Sequence, residues 1–316
     1  MRPGMRQRGF TAFEVVLAIA VVAALAVTVL GPFGAYIDQA QKQDSRQRVR
    51  DLKQALEAAY RRELMTASLP GTAALRLGGV DLANNTLATP ALMAPLERYA
   101  SISAARLAQD GYNQPHRIFV SSELTQSITG TTLAYRIIAV VSVGHNGVLN
   151  STFDVATGTL TPGGDDIVDV VNGYALVREA FDDAQRKLQT VSTAYQSYFL
   201  ARYQANPTRS VSVDYFANSD PTGAASPNWD ADGVILTSAG GMASAEAVNL
   251  RAALGLSIDD VTTSLGAQIQ VDNSSTEVNQ PDQTTSARAL PPYSARLMAP
   301  LPGGNQIVTT VIGVYN

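Results

Sequence analysis

Residues 9–37 read GFTAFEVVLAIAVVAALAVTVLGPFGAYI, and the fold turns on how this stretch is read. Fifteen of the sixteen residues from Val15 to Leu30 are apolar, and no charge occurs from Val15 to Ile37. As a helix such a run reaches ~35 Å, enough for a bilayer core, and it is apolar on every face. The spacing therefore predicts a membrane-spanning helix over residues 10–37. Gly31-Pro32 and Gly34 supply a bend, with Pro32 removing one backbone donor. A single acid, Glu14, stands at the entrance of the run. A carboxylate inside a membrane helix costs roughly 2.5–3.5 kcal/mol at the centre and less near an end. Glu14 is thus either a functional residue or one that reaches back to the headgroups.

Upstream, residues 1–9 (MRPGMRQRG) carry three arginines and no acid. A secretory signal has the same basic start, and small residues near Ala23–Ala26 mimic its cleavage site. The apolar run is longer than a signal core, and Glu14 lies five residues after Gly9. Both features favour a different reading.

The run Gly9-Phe10-Thr11-Ala12-Phe13-Glu14, between a basic leader and an apolar helix, resembles the type IV pilin and pseudopilin family. The resemblance covers roughly residues 6–37. It implies a prepilin peptidase cut between Gly9 and Phe10, N-methylation of Phe10, and a mature chain whose fifth residue is Glu14. It implies that Glu14 acts in assembly by pairing with the N-terminal amine of a neighbouring subunit, and that Pro32 kinks the helix. Ala12 and Phe13 are looser, hydrophobic matches.

Beyond the apolar run, residues 38–65 continue as an amphipathic helix with Val49, Leu52, Leu56 and Ala59/Tyr60 at helical spacing. Leu69-Pro70-Gly71 ends it. Residues 116–124, 132–143 and 149–156 read as strands, with Gly144-His145-Asn146-Gly147 as a tight turn. A second amphipathic helix runs from about Tyr174 to Tyr198 and stops at Asn206-Pro207. Aligned with the first at an offset of 139, it matches Val49 with Leu188, Leu52 with Val191, Leu56 with Tyr195 and Tyr60 with Phe199. QIVTTVIGVY at 306–315 repeats the strand pattern of YRIIAVVSVG at 135–144.

The predicted class is α+β: a long N-terminal membrane-spanning helix packed on an antiparallel sheet, followed by a second α+β module of the same kind. The segments are a leader (1–9), a transmembrane and assembly helix (10–37), a first globular module (38–168) and a second (169–316).

Composition narrows the chemistry. The net charge is −4, and without the arginines of the leader the remainder is more acidic still. Such a chain repels phosphate backbones, so no nucleic acid is expected as partner. The chain has no cysteine, which removes thiol catalysis, Cys-based zinc sites and Fe–S clusters. His116 and His145 are its two histidines, and no nucleophile elbow, P-loop, dinucleotide fingerprint or HExxH motif appears. No cofactor is expected. Asp165 and Asp166, with Asp154 and Asp169 nearby, resemble the calcium-holding acidic loop of some pseudopilins. They also read as a polar turn before the next helix.

The sequence-level expectation is a non-enzymatic structural subunit, present in few copies, of a type IV pilus-like filament. Its implied partners are prepilin peptidase, other pilin subunits and an inner-membrane assembly platform. Its implied location is the inner membrane before assembly, leader in the cytoplasm and globular part in the periplasm, then an extracellular or periplasmic filament, with adhesion as one use. The alternatives are a pseudopilin of a type II secretion or DNA-uptake system and a signal-anchored periplasmic enzyme.

Overall fold

The computed structural model describes residues 12–67, 75–213, 215–216, 234–235, 251–272 and 292–315. Helix α1, Ala12–Ala67, is 56 residues long. The uncharged run is its N-terminal part, and the same helix carries charge at Glu14 and again from Asp38 onward. Among the described residues no helix is long and apolar enough to cross a membrane. This finding replaces the membrane-spanning element predicted over 10–37. The rest of the described chain is a mixture of helices and several small antiparallel sheets.

After α1 come hairpin β1 (Leu75–Leu77) and β2 (Val80–Leu82), β3 (Thr86–Leu87), α2 (Pro90–Met93) and α3 (Ala104–Ala108). Then follow β4 (Arg117–Val120), hairpin β5 (Leu124–Ile128) and β6 (Thr131–Tyr135), β7 (Ile137–Ser142), hairpin β8 (Thr152–Asp154) and β9 (Thr159–Thr161), and β10 (Ile167–Asn172). Helix α4, Gly173–Ala205, starts directly where β10 stops. Asn172 makes that junction by accepting the Tyr174 and Ala175 amides on its side chain. Beyond it lie β11 (Val234–Ile235), α5 (Ile258–Val261), β12 (Gln270–Asp272), β13 (Ser294–Pro300) and β14 (Gln306–Ile312). β10 crosses residue 168, so the first sheet extends to Asn172.

Two four-stranded antiparallel sheets organise these elements, ordered β10-β7-β4-β3 and β14-β13-β12-β11. Each is preceded by its helix and takes its strands in chain order, which gives a first unit (α1 with its sheet) and a second (α4 with its sheet). α1 buries Val49, Leu52, Leu56 and Tyr60, and α4 buries Leu188, Val191, Tyr195 and Phe199, all at 1% exposure or less. Each such side chain contributes roughly 1.5–3 kcal/mol on leaving water.

The likeness extends to turns. Before β4, the amide of Asp110 donates to Gln114 O, that of Asn113 to Asp110 O and that of His116 to Ala108 O. Before β12, Thr263 donates to Ala267 O, Gly266 to Thr263 O and Ile269 to Val261 O. Asn113 and Gly266 hold the same left-handed position, φ 60° and 71°. After the last strand of each sheet a glycine lets an aromatic ring close in. A Cβ on Gly173 would lie 2.8 Å from the Tyr60 ring, and one on Gly313 would lie 2.3 Å from the Phe199 ring.

The two units share one hydrophobic core. Arg61 bridges α1 to Glu179 of α4 with both carboxylate oxygens at 2.7 Å. Both groups are half exposed, so this pair orients more than it stabilises.

Candidate functional site: the exposed half of the N-terminal helix

Helix α1 divides into two functional halves. Among the described side chains, going from its start, the first buried one is Ser45, and from there inward the helix is part of the core. Before it, Phe13, Val15, Val16, Leu17, Ile19, Val21 and Val22 are exposed, as are Phe33, Tyr36 and Ile37. Phe13 is 75% and Tyr36 73% exposed, which are unusual values for rings this large. These exposed side chains make the described part of the stalk an apolar surface.

Glu14 lies exposed in the first turn of this stalk, where the helix dipole favours an acid. Gly9 and Phe10, the predicted processing pair, lie outside the described residues. Pro32 lies within the helical span of α1. A departure from helical backbone occurs at Glu63, φ −109° and ψ 16°. There the carboxylate accepts from the Gly78 amide at 2.6 Å, Arg98 Nη2 at 2.9 Å and Tyr99 Oη at 2.6 Å.

The stalk is fixed where it enters the globular part. Tyr112 Oη donates to Asp38 Oδ1 at 2.9 Å, and His145 Nδ1 lies 3.6 Å from the same oxygen. The Tyr112 and His145 rings meet edge to face at 5.5 Å. Burial, then the bond to Asp38, pushes the Tyr112 hydroxyl up to about 12. Two turns of helix later Ser45 Oγ accepts from the Gly111 amide at 2.9 Å, and Arg48 Nη1 donates to the carbonyls of Gln109 and Asp110 at 3.2 and 3.0 Å. Sequence reading took Gly144–Gly147 simply as a turn, and Tyr112 lies in the turn before β4. The signal for this clamp, a tyrosine in one turn and a histidine in the other, becomes visible once α1 lies across both.

The acidic pair Asp165 and Asp166 binds the loop that carries His145. Asp165 Oδ2 accepts from the Asn146 amide at 3.1 Å, and Asp166 Oδ2 accepts from the amides of Asn150 and Ser151 at 2.9 and 2.6 Å. Burial pushes the Asp165 carboxyl up, but the amides of Asn146, Asp165 and His145 together bring it below the usual carboxylate range. The two acids hold the 144–151 loop against the start of β10. Among the described residues no three His, Cys, Asp or Glu side chains converge on a point that could hold a metal ion. A calcium ion takes six to eight oxygens. Asp165 Oδ1 and Asp166 Oδ1 are buried and without a hydrogen-bond partner.

Comparison with family models, with curated proteins and with solved structures found no match.

The weight therefore falls on the geometry: an apolar stalk headed by one acid and clamped to a two-unit body.

Proposed function

We propose that this chain is a structural, non-catalytic subunit of a type IV pilus-like filament. In this reading prepilin peptidase removes residues 1–9, and the chain assembles through the exposed half of α1. The supporting observation is that half itself, ten large apolar side chains standing in the open ahead of the globular body. Covering such side chains is worth roughly 1.5–3 kcal/mol each, and parallel copies of the same helix offer a matching surface. The Gly9-Phe10 cut places a new cationic amine four residues before Glu14. In a bundle of staggered copies that amine pairs with the Glu14 carboxylate of a neighbour, which sets the stagger.

The body supports low copy number. α4 begins directly at Gly173 after β10, so the second unit has no stalk of its own. One stalk then carries two heads, a poor fit to a filament in which every stalk sits close to the next.

Replacing the acid tests this. Glu14→Val keeps the helix apolar, and the cut should still occur. The variant should enter filaments at least about tenfold less than the native chain, as the loss of a partly desolvated ion pair predicts. Incorporation at the native level would remove this reading.

A further inference from the structure

The two sheets end on equivalent edge strands, β10 and β14, each bonded on one side to β7 or β13. An open edge presents alternate backbone N–H and C=O groups, and proteins that stay apart block it. β10 is blocked. The Val170 amide, which points away from β7, donates to the Asp169 carboxylate of its own strand at 2.8 Å. Lys53 of α1 holds that carboxylate at 3.0 Å.

Among the described residues β14 has no such device. The residue equivalent to Asp169 is Thr309, and the strand reads Gln306-Ile-Val-Thr-Thr-Val-Ile312, with no charge and no proline. Gly313 donates to Tyr293 O, so the odd-numbered residues of this strand bond to β13. Gln306, Val308, Thr310 and Ile312 therefore turn their backbone groups outward. Among the described residues β14 pairs with β13 alone.

We propose that β14 is a self-pairing edge, at which two copies of this chain join their second sheets antiparallel about Thr309. In that register Val308 faces Thr310 and Gln306 faces Ile312 in hydrogen-bonded pairs, so all four outward residues of each copy are used. About eight backbone hydrogen bonds form, and no like charges meet. Ile307 and Val311, buried on the α4 side, face each other across the seam and continue the core from one copy into the next. Half-exposed Ile312 is covered by the stem of Gln306. The partner is a second copy because a two-fold axis through Thr309 makes the strand complementary to itself. The pairing uses none of the exposed half of α1, so it stands or falls separately from the filament reading.

The chain has no cysteine, which makes a single introduced thiol a clean probe. Two Thr309 residues would face each other as a non-hydrogen-bonded pair with Cα atoms ~4.5 Å apart, within disulfide reach. The full-length Thr309→Cys protein, oxidised with diamide, should give a disulfide-linked dimer. Thr159→Cys, on the exposed β8–β9 hairpin of the first unit, should give at least about tenfold less, because only the paired edge raises the local thiol concentration. Adding Thr310→Asp, an exposed position, to Thr309→Cys should remove the dimer. Equal yields from the two thiols, or a dimer that survives Thr310→Asp, would overturn the proposal.

Discussion

The first and second units share strand order, helix placement and turn geometry, yet they fill the space under the helix differently. In the first, Arg48, Asp110, His116 and Ser142 meet there. Asp110 accepts from Ser142 Oγ at 2.6 Å and from the amides of Tyr112 and Gln114. In the second, the same places hold Lys187, Thr263, Ile269 and Ala299. Lys187 keeps the role of Arg48, donating to the carbonyls of Asp259 and Thr262. The other three have become smaller or apolar. One backbone frame thus tolerates either a buried polar set or a nearly apolar one, provided a cation on the helix still satisfies the carbonyls of the turn. The polar version sits in the unit that carries the stalk. There Asp110, held by Ser142 and two amides, fixes the turn whose carbonyls accept from Arg48 of the stalk helix.

The largest effect should come from the feature both units share, the ring against the glycine. Phe199 packs against Tyr215, Phe216 and Tyr315 as well as Gly313. Phe199→Ala should cost about 3–5 kcal/mol by denaturant unfolding. A cost under about 1 kcal/mol would mean that the second unit does not depend on this contact.

Next is the feature that separates them. Burial holds His116 at about 4, against 6.5 for a free imidazole, while Asp110 pulls it up and Arg48 pushes it down. The ring is neutral in the folded protein, whereas the unfolded chain takes up a proton as the pH falls through 6.5. Stability from this group is whole above pH 6.5, declines between 6.5 and 4, and is lost below 4. The full effect is about 3 kcal/mol. His116→Ile, which copies the second unit, should flatten the unfolding midpoint across that window. An unchanged slope would place the acid sensitivity elsewhere.

The helix cations come third. Arg48→Met and Lys187→Met should each cost about 1–3 kcal/mol by stranding turn carbonyls. Arg48→Met should cost more, because Asp110 stays behind in a buried site. Smallest is Asp169→Thr, which copies Thr309 into the first unit. The lost pair with Lys53 should cost under about 1 kcal/mol of stability. The variant should nevertheless self-associate more strongly by sedimentation, since it exposes the Val170 amide.

Some of this was legible in the sequence. Val49, Leu52, Leu56 and Tyr60 announce their buried face by helical spacing, and the offset of 139 lays them on Leu188, Val191, Tyr195 and Phe199. The run Thr132–Val143 reads as one strand, but the chain breaks it at Arg136. That residue is buried, with its amide on Tyr60 Oη and its guanidinium on Ser121 O, so β6 and β7 go to different sheets. Long-range partners of this kind leave no local pattern. The matching turns have no identical residue at corresponding positions, QDGYNQP against TTSLGAQ, because backbone hydrogen bonds make them. β13, SARLMAP, hides behind a buried arginine and a terminal proline. The membrane-spanning reading of residues 10–37 treated the uncharged run as a unit, whereas it is one portion of a helix that goes on through charged turns to Ala67.

The most direct test of the filament account is the N-terminal mass of the protein isolated from its native source. A chain that begins at methylated Phe10 is the predicted result, since it creates the amine that Glu14 is proposed to meet. A chain with Met1 intact, or one cut near Ala26, would contradict it, because neither leaves that amine four residues ahead of the acid.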